Sequence, residues 1–146
     1  MHVSKIMTTN PTCCTPHTSL QETANLFVQC DCGMLPVVDS LDTMRVIGAI
    51  TDRDIVCRII AEGHNPLEHK VADCMSTPAF VIAPHDTIEF ATELMEEHQI
   101  RRLIVIDEDG CAIGLVSQAD IALYNRTLTG ELLEQISQPT SDPCHL

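Results

Sequence analysis

The sequence predicts an α/β fold of the α+β kind: two pseudo-twofold-related β-α-β-β-α repeats packed through their sheets. Three observations predict it. Shifted on itself by 68 positions, the chain lays Val3, Met7, Thr9, Pro16, His17 and Leu26 on Val71, Met75, Thr77, Pro84, His85 and Leu94. In the same register Leu35-Pro-Val-Val-Asp39 falls on Leu103-Ile-Val-Ile-Asp107. After a turn two residues shorter in the second copy, the junction Gly48-Ala-Ile-Thr-Asp-Arg-Asp54 meets Gly114-Leu-Val-Ser-Gln-Ala-Asp120. Self-similarity sustained over that length marks a duplicated structural unit.

Each element has a local cause. In the first copy Thr18 or Ser19 caps a helix, Gln21 or Glu22 closes the box, and Leu20, Ala24, Phe27 and Val28 form an apolar stripe. In the second, Asp86 begins the equivalent helix, with Ile88, Ala91, Leu94 and Met95 inward. Each helix is followed by an apolar run, a polar turn (residues 40–43 and 108–110) and a second apolar run, the pattern of a β-hairpin. A second helix then starts at Thr51 or Ser117, and Gly63 suits a left-handed C-cap for the first of these. The domain reading is therefore 1–61, a linker at 62–70, a second domain at 71–128, and a short helix with a flexible tail at 129–146. Neither half buries its sheet alone, whereas two halves packed face to face do.

Composition narrows the function. With 45% hydrophobic residues, 20% charged and no Trp, the chain reads as globular with an aliphatic core. Eight Lys and Arg against 21 Asp and Glu give a formal charge of −13, which opposes nonspecific binding to nucleic acid or an anionic membrane surface. No apolar run approaches 18 residues and no secretory leader is visible, so a cytoplasmic protein is expected. No Ser-His-Asp set, Walker loop, Gly-x-Gly-x-x-Gly or His-Glu-x-x-His occurs, and no enzyme activity or catalytic cofactor is expected. His17 and His85 recur just before a helix, which suggests a shared turn role.

These motifs, each present twice and in the same order, resemble a tandem pair of cystathionine-β-synthase (CBS) domains, the Bateman module, of the small stand-alone bacterial type. The resemblance covers about residues 1–128 and rests on Met7-Thr-Thr with Met75-Ser-Thr, the Leu35 and Leu103 strands, and the two Gly-x-x-Thr/Ser-x-x-Asp junctions. It implies one CBS-pair module with two clefts, dimerisation, and an adenosine-containing ligand: AMP, ADP, ATP, S-adenosylmethionine or a dinucleotide. A carboxylate can accept from both ribose hydroxyls, and an N-cap hydroxyl with free N–H groups suits a phosphate. The resemblance places Ser117 and Asp120 in a main cleft, with an adenine wall from Thr12, Cys32, Gly33 and Met34 and with Arg101 and Arg102 facing phosphates. The pseudo-symmetric cleft takes Thr51, Arg53, Asp54, Phe80 and Ile100. The same Thr51/Asp54 and Ser117/Asp120 pairs are also plain capping boxes, and the two roles are compatible.

Two other functions remain open at this point. One is a CBS pair with empty clefts that acts as a stress-related docking module for a separate protein. The other is a thiol-based metal or redox sensor. None of the eight cysteines forms a Cys-x-x-Cys pair or recurs in the other copy, but Cys13, Cys14, Cys30 and Cys32, with His17, could meet. Against that, buried Cys often serves as a small apolar core residue.

Overall fold

A computed structural model describes the backbone of residues 1–129 and the side chains of residues 1–126. Its elements are β1 (Thr8–Thr9), α1 (Leu20–Cys30), β2 (Met34–Val38), β3 (Val46–Thr51), α2 (Asp52–Ile55), β4 (Val81–Ile82), α3 (Ile88–His98), β5 (Arg102–Ile106), β6 (Ala112–Ser117) and α4 (Gln118–Thr129). The helix begun by α2 continues in π-helical form over Val56–Ile60. The short helix and tail expected over 129–146 lie outside the described residues, except for Thr129 at the end of α4.

The two repeats fold in one register. Both hairpins are antiparallel, with Met34 opposite Thr51 and Arg102 opposite Ser117, and both carry a bulge at the same place, after Val37 and after Val105. β4 runs parallel to β5, and in the first copy that lane is reduced to a single bridge, Cys14 to Val37. The hairpin tips join across the pseudo-twofold, since Val46 donates to Gly110 O at 3.0 Å and Ala112 to Met44 O at 2.9 Å.

The first strand of each copy crosses to the other. β1 pairs with β6 in one four-stranded sheet of order β1-β6-β5-β4, and Ser76 bridges Ala49 of β3 in return. The cores follow this exchange. Val3 is fully buried among Ile82, Ile88, Ala91, Leu103 and Val116 of the second repeat, while Val71 and Cys74 are buried among Leu20, Phe27, Leu35 and Ile50 of the first. A third cluster, Met34, Val38, Ile104 and Ala112, lies where the two sheets meet. The packing units are thus not continuous in sequence.

Gly48 and Gly114 permit this exchange. A Cβ on Gly48 would stand 2.6 Å from Ser76 O, and one on Gly114 would stand 2.9 Å from Thr8 O and 2.7 Å from Met7 Sδ. The glycine of the repeated junction therefore leaves room for the visiting strand of the other copy.

The helices differ from expectation in detail. Ser19 is the N-cap of α1, its hydroxyl accepting from Glu22 N at 3.1 Å, but the inward stripe is Leu20, Thr23 and Phe27. Ala24 and Val28 are exposed, Val28 at 81%. Thr23 can take the inward place because its hydroxyl donates to Ser19 O at 2.9 Å, which satisfies a polar group that would otherwise be costly to bury. Thr87 rather than Asp86 caps α3; the Asp86 carboxylate accepts from Ala83 N at 3.0 Å and closes the preceding turn instead. Gly63 is left-handed (φ 86°), and bonds from Gly63 N to Ile60 O and from His64 N to Ile59 O end the helix there as predicted. Ser19→Ala should cost about 1 kcal/mol, read as a drop in melting temperature of about 4 °C.

Candidate functional site

The repeated strand-to-helix corner carries the chemistry. At the second corner Asp120 Oδ2 accepts from Ser117 N at 2.9 Å while Ser117 Oγ accepts from Asp120 N at 3.1 Å. The box holds the carboxylate with one oxygen. Among the described residues no hydrogen-bond partner meets the other, Oδ1. Asp120 and Ser117 line a cavity of ≈ 320 Å³. Its remaining walls are the visiting segment (Thr8, Asn10, Pro11, Thr12), the end of α1 with the start of β2 (Cys30, Asp31, Cys32, Met34, Leu35), and Arg102 with Leu115 from the second sheet.

The first corner has the same box, with Asp54 Oδ2 and Thr51 Oγ1 each accepting at 3.0 Å. Its other carboxylate oxygen is engaged. Asp54 Oδ1 accepts from Ser76 Oγ at 3.5 Å and lies 3.9 Å from Arg58 Nε, and Arg58 Nη1 is anchored on Cys74 O and Met75 O at 3.1 Å each. The repeat puts Thr8 where Ser76 stands and Tyr124 where Arg58 stands, and Tyr124 packs on the second core. The first corner carries a cation one helical turn on, Arg58; among the described residues the second has Tyr124 at that place.

A second cavity of ≈ 250 Å³ adjoins the first, sharing Met34 and Arg102 as lining. It gathers Gly33, Thr51, Asp52, Arg53, Gln99, Ile100 and Arg101. Three of the chain's eight Lys and Arg, namely Arg53, Arg101 and Arg102, thus line one small space, which concentrates positive charge in a chain of formal charge −13. Burial pushes the Asp52 carboxyl above its ordinary value, and Arg102 pulls it partly back. Burial likewise pushes the Cys32 thiol up, with Arg102 opposing.

Of the residues expected in the main cleft, the first cavity brings together Thr12, Cys32, Met34, Arg102, Ser117 and Asp120, while Gly33 and Arg101 line the second. Of those expected in the pseudo-symmetric cleft, Thr51, Arg53 and Ile100 line the second cavity, and Asp54 and Phe80 do not. The Phe80 ring lies on His98 with centroids 4.5 Å apart, at the positions that in the first copy hold Thr12 and Cys30. Sequence reasoning missed Thr8, Asn10, Pro11, Cys30, Asp31, Leu35 and Leu115. Thr8 and Leu115 meet only because β1 crosses over; Asp31 reaches the rim through its left-handed C-cap (φ 50°).

A larger cavity, ≈ 510 Å³, runs between α3 and α4 from Thr92 to Asn125 and, among the described residues, carries Glu96 as its one carboxylate. It touches the second corner only through Gln118 and is lined by none of Thr51, Asp54, Ser117 and Asp120, so volume and chemistry do not coincide. The four cysteines considered together make no metal site among the described residues: Cys14 and Cys32 pack on the first core, and Cys30 and Cys32 line the first cavity. Cys13 Sγ lies 3.4 Å from Pro11 O and Cys14 Sγ 3.7 Å from Pro36 O, and burial pushes these thiols up to about 11 and about 12. Among the described residues no group of three or more His, Cys, Asp or Glu could hold a metal ion, and no helix is long and apolar enough to cross a membrane.

Fold and site geometry define a duplicated module with two adjoining clefts, each next to one of the repeated corners. The chain belongs to the CBS domain family, whose model matches residues 3–61 and again 71–126. It is 36% identical over 137 residues to CBS domain-containing protein YhcV of Bacillus subtilis, covering 92% of this chain and 94% of that one. The crystal structure of Hypoxic Response Protein I with two coordinated zinc ions superposes with a TM-score of 0.74 at 33% identity, covering 84% of this chain and 97% of that one. The structure of CBSX2, an Arabidopsis thaliana protein, in complex with AMP gives a TM-score of 0.76 at 26% identity, covering 88% and 98%.

Proposed function

We propose that this protein is a cytoplasmic, non-catalytic regulatory module. It binds an adenosine-containing nucleotide in the first cavity and signals its occupancy to a separate partner protein. The observation that carries the reading is the asymmetry of the corners: Asp120 keeps one carboxylate oxygen without a partner among the described residues, whereas Asp54 shares its second oxygen with Arg58 and Ser76. A free carboxylate oxygen is what a ribose with two donor hydroxyls needs. The first cavity, at ≈ 320 Å³, falls within the range of about 300–1,000 Å³ that takes small molecules, and the second, at ≈ 250 Å³, falls below it. AMP in the CBSX2 complex supports the choice of ligand class.

The arrangement also supplies a means of signalling. The first cavity takes its walls from both repeats, so a ligand that fills it ties them together. A ligand at 100 times its dissociation constant stabilises the state it prefers by ~2.7 kcal/mol, provided the two states bind it differently. ADP, ATP, S-adenosylmethionine and dinucleotides share the adenosine unit, and the arginines of the adjoining cavity would meet a longer phosphate chain. We place a second copy of the chain on the α1 side, where Val28, Val56 and Ile60 are 81%, 53% and 50% exposed. The zinc ions of Hypoxic Response Protein I are not carried over, because among the described residues no group of three or more His, Cys, Asp or Glu could hold a metal ion.

Calorimetric titration of AMP, ATP and S-adenosylmethionine into the wild-type chain tests the reading. Saturable heat with one site per chain is expected. A folded protein that gives no heat with any of them would transfer the function to the empty-cleft alternative, a surface that docks on a protein.

A further inference from the structure

Cys30 closes α1, and Cys32 follows it across Asp31, whose left-handed backbone (φ 50°, ψ 50°) turns the chain back on itself. Both cysteines line the first cavity. The Cys30 thiol reaches Thr12 Oγ1 at 3.4 Å, on the cavity side of the turn. Residues two apart span at most about 7 Å even when extended. A left-handed bend shortens that span, into the roughly 4.4–6.8 Å between Cα atoms that a disulfide bridges. The remaining described cysteines have other surroundings. Cys13, Cys14 and Cys74 are partly or fully buried, Cys111 Sγ lies 3.1 Å from Thr43 O, and Cys57 is exposed on the far side of Asp54 in sequence.

We propose that Cys30 and Cys32 form a dithiol switch in the wall of the nucleotide cavity. A hydroperoxide converts the pair to a disulfide, and the disulfide lowers the cavity's affinity for nucleotide. The exposed Cys30 attacks first: its thiolate takes the distal oxygen of the peroxide, giving a sulfenic acid and releasing water or an alcohol. The Cys32 thiol then attacks that sulfur, the S–S bond forms, and the sulfenic oxygen leaves as water with the Cys32 proton. Two thiols are oxidised and one peroxide is reduced. Burial holds Cys32 in the thiol form at neutral pH, so the second step speeds up as pH rises.

The bridge acts on the cavity because it draws Cys30 off Thr12 and rebuilds the wall between α1 and β2. By linkage, bound nucleotide must oppose bridge formation to the same degree that the bridge opposes binding. The coupling rests on the nucleotide reading above; formation of the bridge does not.

The test uses the full chain, oxidised with hydrogen peroxide and blocked with iodoacetamide. Cleavage after Glu22 and Arg45 releases residues 23–45, whose cysteines are Cys30 and Cys32 alone. The expected result is a 23–45 peptide lighter by two hydrogens and unalkylated, and AMP affinity at least tenfold weaker until dithiothreitol restores it. C30S, whatever its own affinity, should bind AMP equally before and after peroxide. A doubly alkylated 23–45 peptide after oxidation overturns the switch. A bridged peptide with unchanged AMP affinity overturns the coupling. If the reduced protein binds no nucleotide, the nucleotide reading and the coupling fall together, and the peptide mass still decides whether the dithiol forms.

Discussion

Gly48→Ala is expected to lower the melting temperature by roughly 4–12 °C, the cost of about 1–3 kcal/mol for forcing one methyl group into a filled site. Gly48 sits in β3 with a negative φ, so the added Cβ costs no backbone strain; what it costs is space. The methyl would stand 2.6 Å from Ser76 O and 2.7 Å from Met75 Cε. Ser76 O cannot yield on its own, because it accepts from Ala49 N at 3.0 Å and Ser76 N donates to Ala49 O at 2.8 Å. The strand visiting from the second repeat must therefore lift away, and it carries with it Val71 and Cys74, which fill the first core. Gly114→Ala is the mirror experiment, but there the nearest atom is Met7 Sδ at 2.7 Å, at the end of a flexible side chain. Met7→Ala should therefore partly rescue Gly114→Ala, whereas Met75→Ala should rescue Gly48→Ala little, and a double-mutant cycle by thermal denaturation measures both. Melting within 1 °C of wild type for Gly48→Ala would show that the visiting strand is not held against β3.

The difference between these two cycles also marks what the sequence could convey. The repeat, the hairpins and their shared register were legible because each is written in short-range pattern: alternating apolar runs, a turn, an N-cap. The exchange of first strands was not, because Val3 and Val71 are the same residue at equivalent positions and suit either core. Duplication itself hides which copy a segment packs on. The inward face of α1 was misread for another reason. A Thr hydroxyl that bonds one turn back, as Thr23 does to Ser19 O, behaves as a core residue, while Val28 is left in solvent. Most of the main-cleft residues were nevertheless brought together, because the junction motif fixes Ser117 and Asp120 while the hairpin register fixes Met34 and Arg102 beside them. The inequality of the two corners was within reach too: Arg58 stands four residues after Asp54 and Tyr124 four after Asp120, a helical spacing visible in the letters.

That inequality sets the largest functional effect. Asp120→Ala is expected to weaken AMP binding by about 10- to 140-fold, since a hydrogen bond to a charged group contributes about 1.5–3 kcal/mol and each 1.4 kcal/mol is tenfold. Asp54→Ala should change the same affinity by less than about threefold, because its carboxylate is already held by Arg58 and Ser76 and lies outside the first cavity. Loss of the capping box is a confounding effect in both variants, and Asp120→Asn removes it. The Asn carbonyl can still accept from Ser117 N, so the corner stays closed, while the amide that replaces Oδ1 donates and cannot receive a ribose hydroxyl. Asp120→Asn should therefore keep the wild-type melting temperature and lose AMP as Asp120→Ala does. If Asp120→Asn binds as wild type, the carboxylate is a cap and nothing more. If Asp54→Ala is the variant that loses binding, the ligand occupies the other corner, and Arg58 must then swing off Asp54 to admit it.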